Sequence, residues 1–410
     1  MTYSLVDLDK YASASGEFNV AENETTNSYT QALYRDDELW DTVVNGAGAS
    51  ATWTQATGGV TMTVTNSGEY VIRQSKLSNQ YLAAAPQIWD LTLIDMEPEA
   101  GVVKRYGYGS ASTSAPYNTS LDGFFLETDD TQIYLKIYKG GTTIFSAAQS
   151  TWDDPMDGTG RSGVTLVPTA FNALYCEFLY LGGTEATFGF LIGGKKAVPV
   201  HTFKNSNVNN ATFVNSPSQP LLYSIHRNSG TGASSTVQIC SKVGSKGIQS
   251  DKIKVRPHRY EVSGTSGLAT PTVGTIYAVM AFRLNTRHSI VGILKWRITA
   301  VSADTFVYTV RKNPTIGGTA LDYSAVPNSG YDVGFGALAG GTTVTGGTIV
   351  GVDTEIEADR EQIIDIDINN ILLNAGQAID GTFDEFVLCI ENRSTNITTK
   401  HSMFIHTVGQ

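Results

Sequence analysis

Short apolar runs alternate with polar residues at a period of two along most of this chain, and glycine-bearing turns interrupt them roughly every 8 to 12 residues. Val60, Met62 and Val64 alternate with threonines, and Asn66-Ser67-Gly68 reads as a hairpin reversal. Ile88–Ile94 (IWDLTLI) is another strand-like run. Phe124–Glu127 (FFLE) leads through Asp129-Asp130 into Ile133–Tyr138 (IYLKIY), and Gly140-Gly141 returns the chain into Thr143-Ile144-Phe145. The segments YCEFLYL (175–181) and ATFGFLIGGKKAVPVHTF (186–203) repeat the signature. Strands do not alternate with amphipathic helices, which disfavours an α/β sheet with a switch-point site. Absence of a fixed-period repeat sets aside solenoids and propellers. The pattern predicts a mainly β chain built from antiparallel sandwiches of the jelly-roll kind.

Length sets the domain count. A chain of 410 residues accommodates two or three cores. Residues 1–45 read as an extended N-terminal arm, for attachment or oligomer contact. Its first thirty residues are polar, with acids at Asp7, Asp9, Glu17, Glu22 and Glu24, and cannot build a core of their own. QALYRDDELWD (31–41) is the arm's short helix candidate, with Leu33, Leu39 and Trp40 as its contacts. Residues 46–260 are expected to form a central β-sandwich, and residues 261–410 a C-terminal β domain. The turn-rich stretch RPHRYEVSGTSGLATPTVG (256–274) lies at the junction. Beyond it, IYAVMAFRL, IVGILKWRITAVS and TFVYTVRK start a new meander. The glycine- and threonine-rich stretch 317–351 carries few charges and reads as strands and turns packed on another surface.

Charge narrows the partners. Lys+Arg 28 against Asp+Glu 39 gives a formal charge of −11. Backbone binding to nucleic acid needs a concentrated basic surface, so no nucleic-acid partner is expected, and an anionic membrane is disfavoured likewise. No run reaches the about 18 to 20 apolar residues that span a bilayer, so membrane insertion is not expected. The opening MTYSLVDLDKYASASGEF has neither the basic flank nor the apolar centre of a secretory signal. Cys176, Cys240 and Cys389 are too few and too scattered for a disulfide framework or a CxxC zinc site, and read as buried small hydrophobes.

Little catalytic chemistry is legible. Asp153, Asp154 and Asp157 in WDDPMDGTGRSG crowd one loop, as oxygen ligands of calcium do, but the order departs from the EF-hand pattern and lacks its distant glutamate. These three are the only metal candidates. Turn chemistry at DG and TG is the simpler reading. Paired-carboxylate hydrolysis needs two acids about 5 to 10 Å apart across a cleft. Glu127 and Glu177 are the candidates, and nothing in their spacing makes them converge. The six histidines form neither HxH nor HExxH, and no nucleophile elbow or phosphate loop occurs. The basic stretch 242–259, with Lys242, Lys246, Lys252, Lys254, Arg256 and Arg259, has two readings. It docks an acidic partner, such as the N-terminus of a neighbouring copy, or it is a lysine-protected edge strand. Nineteen tyrosines suit either subunit packing or carbohydrate stacking. No cofactor and no catalytic residue is expected.

Six segments taken in order resemble a family of structural proteins from the particles of tailed bacteriophages. They are GVVKRYGYGS (101–110), DGFFLETDDTQIYLKIY (122–138), QSTWDDPMDGTGRSGVTL (149–166), LYLGGTEATFGFLIGGKKAVPVHTFKN (179–205), QPLLYSIHR (219–227) and VQICSKVGSKG (237–247). The resemblance covers somewhat less than half of the chain. It implies a lectin-like or laminin-G-like sandwich core in a virion component: a head decoration, a head fibre or a tail-associated protein. It also implies no established catalysis, assembly in the host cytoplasm, and capsid or tail subunits as partners. Oligomerisation is implied too, a trimer being one option although no heptad segment demonstrates it. A host-surface glycan is the alternative ligand, and a polysaccharide-degrading enzyme the third reading. Where the family tends toward a tryptophan-led segment before the GFxIxG strand, this chain has Leu179-Tyr180-Leu181-Gly182-Gly183-Thr184.

Overall fold

A computed structural model describes residues 23–79, 81, 85–111, 121–179, 183–193, 196–246, 255–262, 268–270, 272–285, 291–300, 304–327, 329–337, 341–358, 362–367, 376–393 and 397–408. The chain divides into two compact units, Met1–Ser250 and Asp251–Gln410. Both are built from antiparallel sheets, in agreement with the alternation of the sequence.

The strands of the N-terminal unit are β1 (Asn23–Thr30), β2 (Trp40–Asn45), β3 (Ser50–Thr54), β4 (Gly59–Asn66), β5 (Tyr70–Ser75), β6 (Gln87–Ile94), β7 (Val102–Ser110) and β8 (Asp122–Asp129). They continue as β9 (Gln132–Lys139), β10 (Thr142–Ala148), β11 (Phe171–Leu179), β12 (Glu185–Ile192), β13 (Lys196–Lys204), β14 (Leu221–Arg227) and β15 (Thr231–Lys246). One sheet has eight strands in the order β13-β12-β11-β6-β15-β4-β3, with β1 also paired to β15. The other has seven, in the order β10-β9-β8-β7-β14-β5-β2. Val60, Met62 and Val64 point inward from β4 and are fully buried, as their alternation predicts. They join a single core with Trp89 and Leu91 of β6 and Tyr106, Phe124 and Leu135 of the other sheet. Asp129-Asp130 and Gly140-Gly141 make the turns expected of them: Asp130 (φ 46), Gly140 (φ 55) and Gly141 (φ 82) all take left-handed backbone.

Two local expectations fail for identifiable reasons. Asn66-Ser67-Gly68 does not close a hairpin, because β4 pairs with β3 and β15 while β5 pairs with β2 and β14. The turn is a corner between sheets, held by Glu69, whose carboxylate accepts from the amides of Gly48, Thr65 and Asn66. Residues 31–39 form bends in place of a helix. Side chains capture the amides that a helix would use: Gln31 Oε1 accepts from Asp36 N, and Asp36 Oδ1 from Glu38 N and Leu39 N. Trp40 then enters β2 with its ring buried in the core. Residues 23–30 of the expected arm pair along β15, and residues 1–22 lie outside the described residues.

Polar side chains cross the core. Tyr106 Oη donates to Thr236 Oγ1 (2.8 Å), Arg73 Nε to Gln238 Oε1 (2.6 Å) and Tyr223 Oη to the Cys240 carbonyl (3.1 Å). Each donor belongs to the seven-stranded sheet and each acceptor to β15 of the other. Arg73 is fully buried; it also donates to Thr42 Oγ1 and lies over the Trp40 ring, 5.8 Å from its centroid. Burial pulls its pKa down to about 10, against the support of Asp37, so it remains a cation at neutral pH.

The C-terminal unit contains β16 (Val255–Val262), β17 (Leu268–Thr270), β18 (Ile276–Leu284), β19 (Val291–Ala300), β20 (Asp304–Lys312), β21 (Thr315–Gly318) and β22 (Asp322–Ala325). It continues with β23 (Tyr331–Phe335), β24 (Thr342–Thr345), β25 (Thr348–Ala358), β26 (Gln362–Asp367), β27 (Glu385–Asn392) and β28 (Ile397–Val408). A five-stranded sheet orders β16-β28-β19-β26 with β17 on β28, and an eight-stranded sheet is centred on β18 and β27. Phe282 and Phe386 stack across those two strands at 5.1 Å. Stretch 317–351 forms the short strands β21 to β24 and the start of β25.

Arg73→Met is expected to lower the unfolding free energy of the full chain by about 3 kcal/mol in urea titrations, because it strands the buried Gln238 carbonyl. Tyr106→Phe is expected to cost only about 1 kcal/mol, since Thr236 keeps its bond to the Ile94 carbonyl. Equal costs would contradict the assignment.

Candidate functional site

The acids singled out by the sequence separate in space. Leu126 and Phe124 of β8 point into the core, so Glu127 faces outward from the seven-stranded sheet. Cys176 and Phe178 of β11 point into the same core, which puts Glu177 on the outer face of the opposite sheet. The two carboxylates therefore stand on opposite sides of the sandwich and share no cleft. Glu127 is buried and accepts from Arg105 Nε (2.6 Å), Lys136 Nζ (2.5 Å) and Tyr138 Oη (2.9 Å). Burial raises its pKa, but Arg105 and Lys136 outweigh that and hold it below the usual glutamate range. Glu177 pairs with Lys246, and Asp90 with Lys242 at 2.9 Å.

Lys242 and Lys246 thus lie in ion pairs on a strand bonded on both edges, not on a protected edge. Of the rest of the basic stretch, Lys252 and Lys254 fall outside the described residues. Arg256 and Arg259 lie on β16, which is a terminal strand.

Asp153, Asp154 and Asp157 do not converge. Asp153 Oδ2 accepts from Thr202 N at 3.1 Å and lies 3.3 Å from His201 Nδ1. Asp154 accepts from Met156 N and Ser162 N. Asp157 accepts from the amide and hydroxyl of Thr159. The hydroxyl and then the amide of Thr159 hold the Asp157 carboxyl below the usual aspartate range, and against the cost of its burial Asp154 is held down by the amides of Ser162 and Met156. Because Asp154 N also donates to the Val200 carbonyl, this loop covers the outer edge of β13. An edge guard of that kind blocks strand addition. Among the described residues, no group of three or more His, Cys, Asp or Glu side chains could hold a metal ion. Cys176 and Cys389 are buried free thiols, and Cys240 is partly exposed.

A feature missed in the sequence is the connection from Asn205 to Pro220. Strand-free connections longer than about 12 to 15 residues inside a compact unit are uncommon and are usually functional or disordered. This one is held firmly at several points. Asn205 Nδ2 donates to the carbonyls of Gly183 (3.1 Å) and Ala211 (2.8 Å). Phe213 is buried and meets Phe124 edge-on at 5.8 Å. The buried Asp122 carboxylate gathers Asn215 N (3.0 Å), Ser216 N, Gly140 N and Gln219 Nε2 (2.7 Å). Burial pushes its pKa up in spite of these four donors. Tyr108 Oη bonds the Pro217 carbonyl and receives Gln219 N. On this frame Asn207, Asn209, Asn210 and Asn215 are exposed, with Asn207 in left-handed backbone (φ 62). Asn209 Nδ2 donates to Asn205 Oδ1, which aims its own carbonyl oxygen away from that bond. The signal was present in the sequence as NSNVNN (205–210).

On the outer face of the seven-stranded sheet, Gly107 and Gly109 lie under the Phe125 ring, where a Cβ would come within 2.7 and 2.4 Å of its atoms. His226 stacks on Tyr70 at 5.6 Å, its cross-strand partner. Burial, reinforced by Arg105, pulls the imidazole down to about 3.

No protein-family model matches the chain, and no curated protein does. Among solved structures, the carbohydrate recognition domain of Emp47p is similar at 9% identity, covering 55% of this chain and 98% of that one, with a TM-score of 0.36. A legume lectin-like domain from Entamoeba histolytica is similar at 11% identity, with 53% and 95% coverage and a TM-score of 0.34. The protein SO2946 from Shewanella oneidensis is similar at 9% identity, with 62% and 100% coverage and a TM-score of 0.36.

An unfolded histidine binds its proton near pH 6.5, whereas folded His226 does so only near 3. The unfolded state therefore holds more protons between these values, and stability contributed by neutral His226 is lost as pH falls below about 6.5. Wild type minus His226→Gln stability, measured in urea from pH 7 to 5, should decline with acidification. A flat difference would place the imidazole in water.

Proposed function

We propose that the N-terminal unit is a non-catalytic binding module for neutral carbohydrate, and that the Asn205–Pro220 loop is its recognition surface. The carrying observation is the rigid display of four exposed asparagine amides on a long connection anchored by Asp122, Asn205 and Phe213. A primary amide carries two N–H donors and a carbonyl acceptor, one donor of Asn209 being spent on Asn205, and the set matches the vicinal hydroxyls of a sugar. Anchoring in the free protein reduces the ordering cost of binding. A formal charge of −11 repels polyanionic ligands at long range and leaves neutral ones unaffected. The saturated ion pairs of Glu127 and Glu177 support recognition without turnover.

Asn209→Ala/Asn210→Ala is expected to weaken neutral-glycan binding by about tenfold in calorimetry with the full chain, the sum of two modest hydrogen-bond losses. Glycan-array screening of wild type comes first. An array without any binder, or a double variant that binds as well as wild type, would refute the reading.

The setting that fits this module is the particle of a tailed bacteriophage, as a head decoration, head fibre or tail-associated protein. Its support is the run of resembling segments, which build β7 to β9, the β13 edge guard, β12 to β14 and the second half of β15, among them the strands that carry the loop. Purified particles should then contain the chain in stoichiometric amounts by mass spectrometry. Its presence only in the soluble lysate fraction would remove this setting and leave the binding proposal standing.

A further inference from the structure

We propose that Asn45-Gly46 is a self-modification site, at which the Asn45 side chain loses ammonia to become aspartate or isoaspartate, and that the product loosens the corner held by Glu69.

This chemistry needs an asparagine whose side-chain carbon is open to attack by the amide nitrogen of the next residue. A following glycine favours it, because glycine has no Cβ to obstruct the approach and reaches backbone conformations costly to other residues. Asn45-Gly46 is the only Asn-Gly pair in the sequence. Asn45 is the last residue of β2, a terminal strand that pairs with β5. Both residues of the pair are exposed, and Gly46 has a positive φ of 103°. Among the described residues nothing accepts from the Gly46 amide, so the nucleophile is not tied up in a hydrogen bond. The Asn45 side chain is restrained by one exposed bond, from Nδ2 to the Gly68 carbonyl at 3.2 Å.

Once hydroxide takes the Gly46 amide proton, that nitrogen bonds to Asn45 Cγ. The bond from Cγ to Nδ2 then breaks, and Nδ2 leaves as ammonia after taking a proton from water. Water opens the resulting cyclic imide. Cleavage at Cγ restores the normal backbone with aspartate; cleavage at the main-chain carbonyl routes the backbone through the side chain as isoaspartate. Overall, water is consumed, ammonia is released, and nothing is oxidised or reduced.

The product falls at a sensitive place. A Cβ on Gly46 would lie 2.3 Å from Glu69 Cγ, so the pair packs directly against that side chain. The Glu69 carboxylate holds the amides of Gly48 (2.7 Å), Thr65 (2.7 Å) and Asn66 (2.9 Å). The side-chain amide and then the backbone amide of Asn66 pull its pKa down to about 2, so it is an anion at neutral pH. A carboxylate at position 45 removes the donor to Gly68 and sets a like charge beside Glu69. Isoaspartate also lengthens the main chain between β2 and the Gly48 amide.

Peptide mapping of the full chain, incubated at pH 8 and 37 °C and sampled over days, tests this. The tryptic peptide Asp36–Arg73 should gain the mass of an amide-to-acid change, and fragmentation should place it at Asn45. The rate should lie within about tenfold of that in a synthetic Thr42–Ala51 peptide, since one exposed hydrogen bond raises the barrier by no more than that. Asn45→Gln, whose longer side chain closes a less favourable ring, should stay unconverted. Aged wild type and fresh Asn45→Asp should both melt below fresh wild type, whereas Asn45→Gln should lose nothing further on ageing. An Asn45 still intact when the free peptide is fully converted, earlier conversion at another asparagine, or an aged chain as stable as a fresh one would overturn the proposal.

Discussion

Two apolar sheets stacked about 10 Å apart attract without specifying how they sit, because hydrophobic burial has no direction. In the N-terminal unit, direction comes from Tyr106, Arg73 and Tyr223, which cross from the seven-stranded sheet to successive positions on β15. Each would be costly to bury unpaired, so only the register that matches all three donors to their acceptors avoids that cost. Arg73 has the largest consequence. It also reaches Thr42 and the Asp36 carbonyl and lies over Trp40, and thereby fixes the 31–42 segment on the sandwich. Strand β15 is the natural recipient, since it pairs with β6 on one edge and with β4 and β1 on the other.

A scaffold fixed in this way can hold a long loop still. Asp122 sits at the start of β8 and collects amides from the β9–β10 turn and from the 205–220 connection. The loop's position is therefore inherited from the sheet. Its exposed side chains are uncharged, asparagine amides beside Ser206, Val208 and Ala211, while the charged groups on the sheet faces are largely spent on one another: Glu127 on Arg105 and Lys136, Glu177 on Lys246, Asp90 on Lys242. Such a division suits recognition by hydrogen bonds more than proton transfer, which needs a carboxylate free to change its charge state.

The sequence made the strands legible wherever one face is buried, because period two is then enforced residue by residue. GVTMTVTN and QIYLKIYK are the clearest cases, with Val60, Met62, Val64, Leu135 and Ile137 all buried. Partner choice was not legible. NSG looks the same whether it closes a hairpin or turns a corner between sheets; what decides is Glu69, whose role depends on Gly48 being nearby. QALYRDDELWD has apolar residues at helical spacing, yet side-chain captures by Gln31 and Asp36 and the burial of Trp40 override a marginal propensity. The three aspartates looked like a cluster because they are close in sequence. Each has a separate amide to satisfy, and two of them lie along the β13 edge. The 205–220 connection was overlooked because asparagine runs signal turns locally, and only the anchors 93 to 97 residues away, from Asn215 and Gln219 back to Asp122, make it rigid.

The most direct test of the inter-layer tie is a double-mutant cycle on Arg73 and Gln238, using Arg73→Met, Gln238→Met and both together in urea unfolding. A charge-assisted bond buried between the layers predicts a coupling energy of about 1.5 to 3 kcal/mol, with the double variant more stable than the sum of the single losses implies. Strict additivity within about 0.3 kcal/mol would contradict the account, because it would mean that the two side chains do not meet across the core.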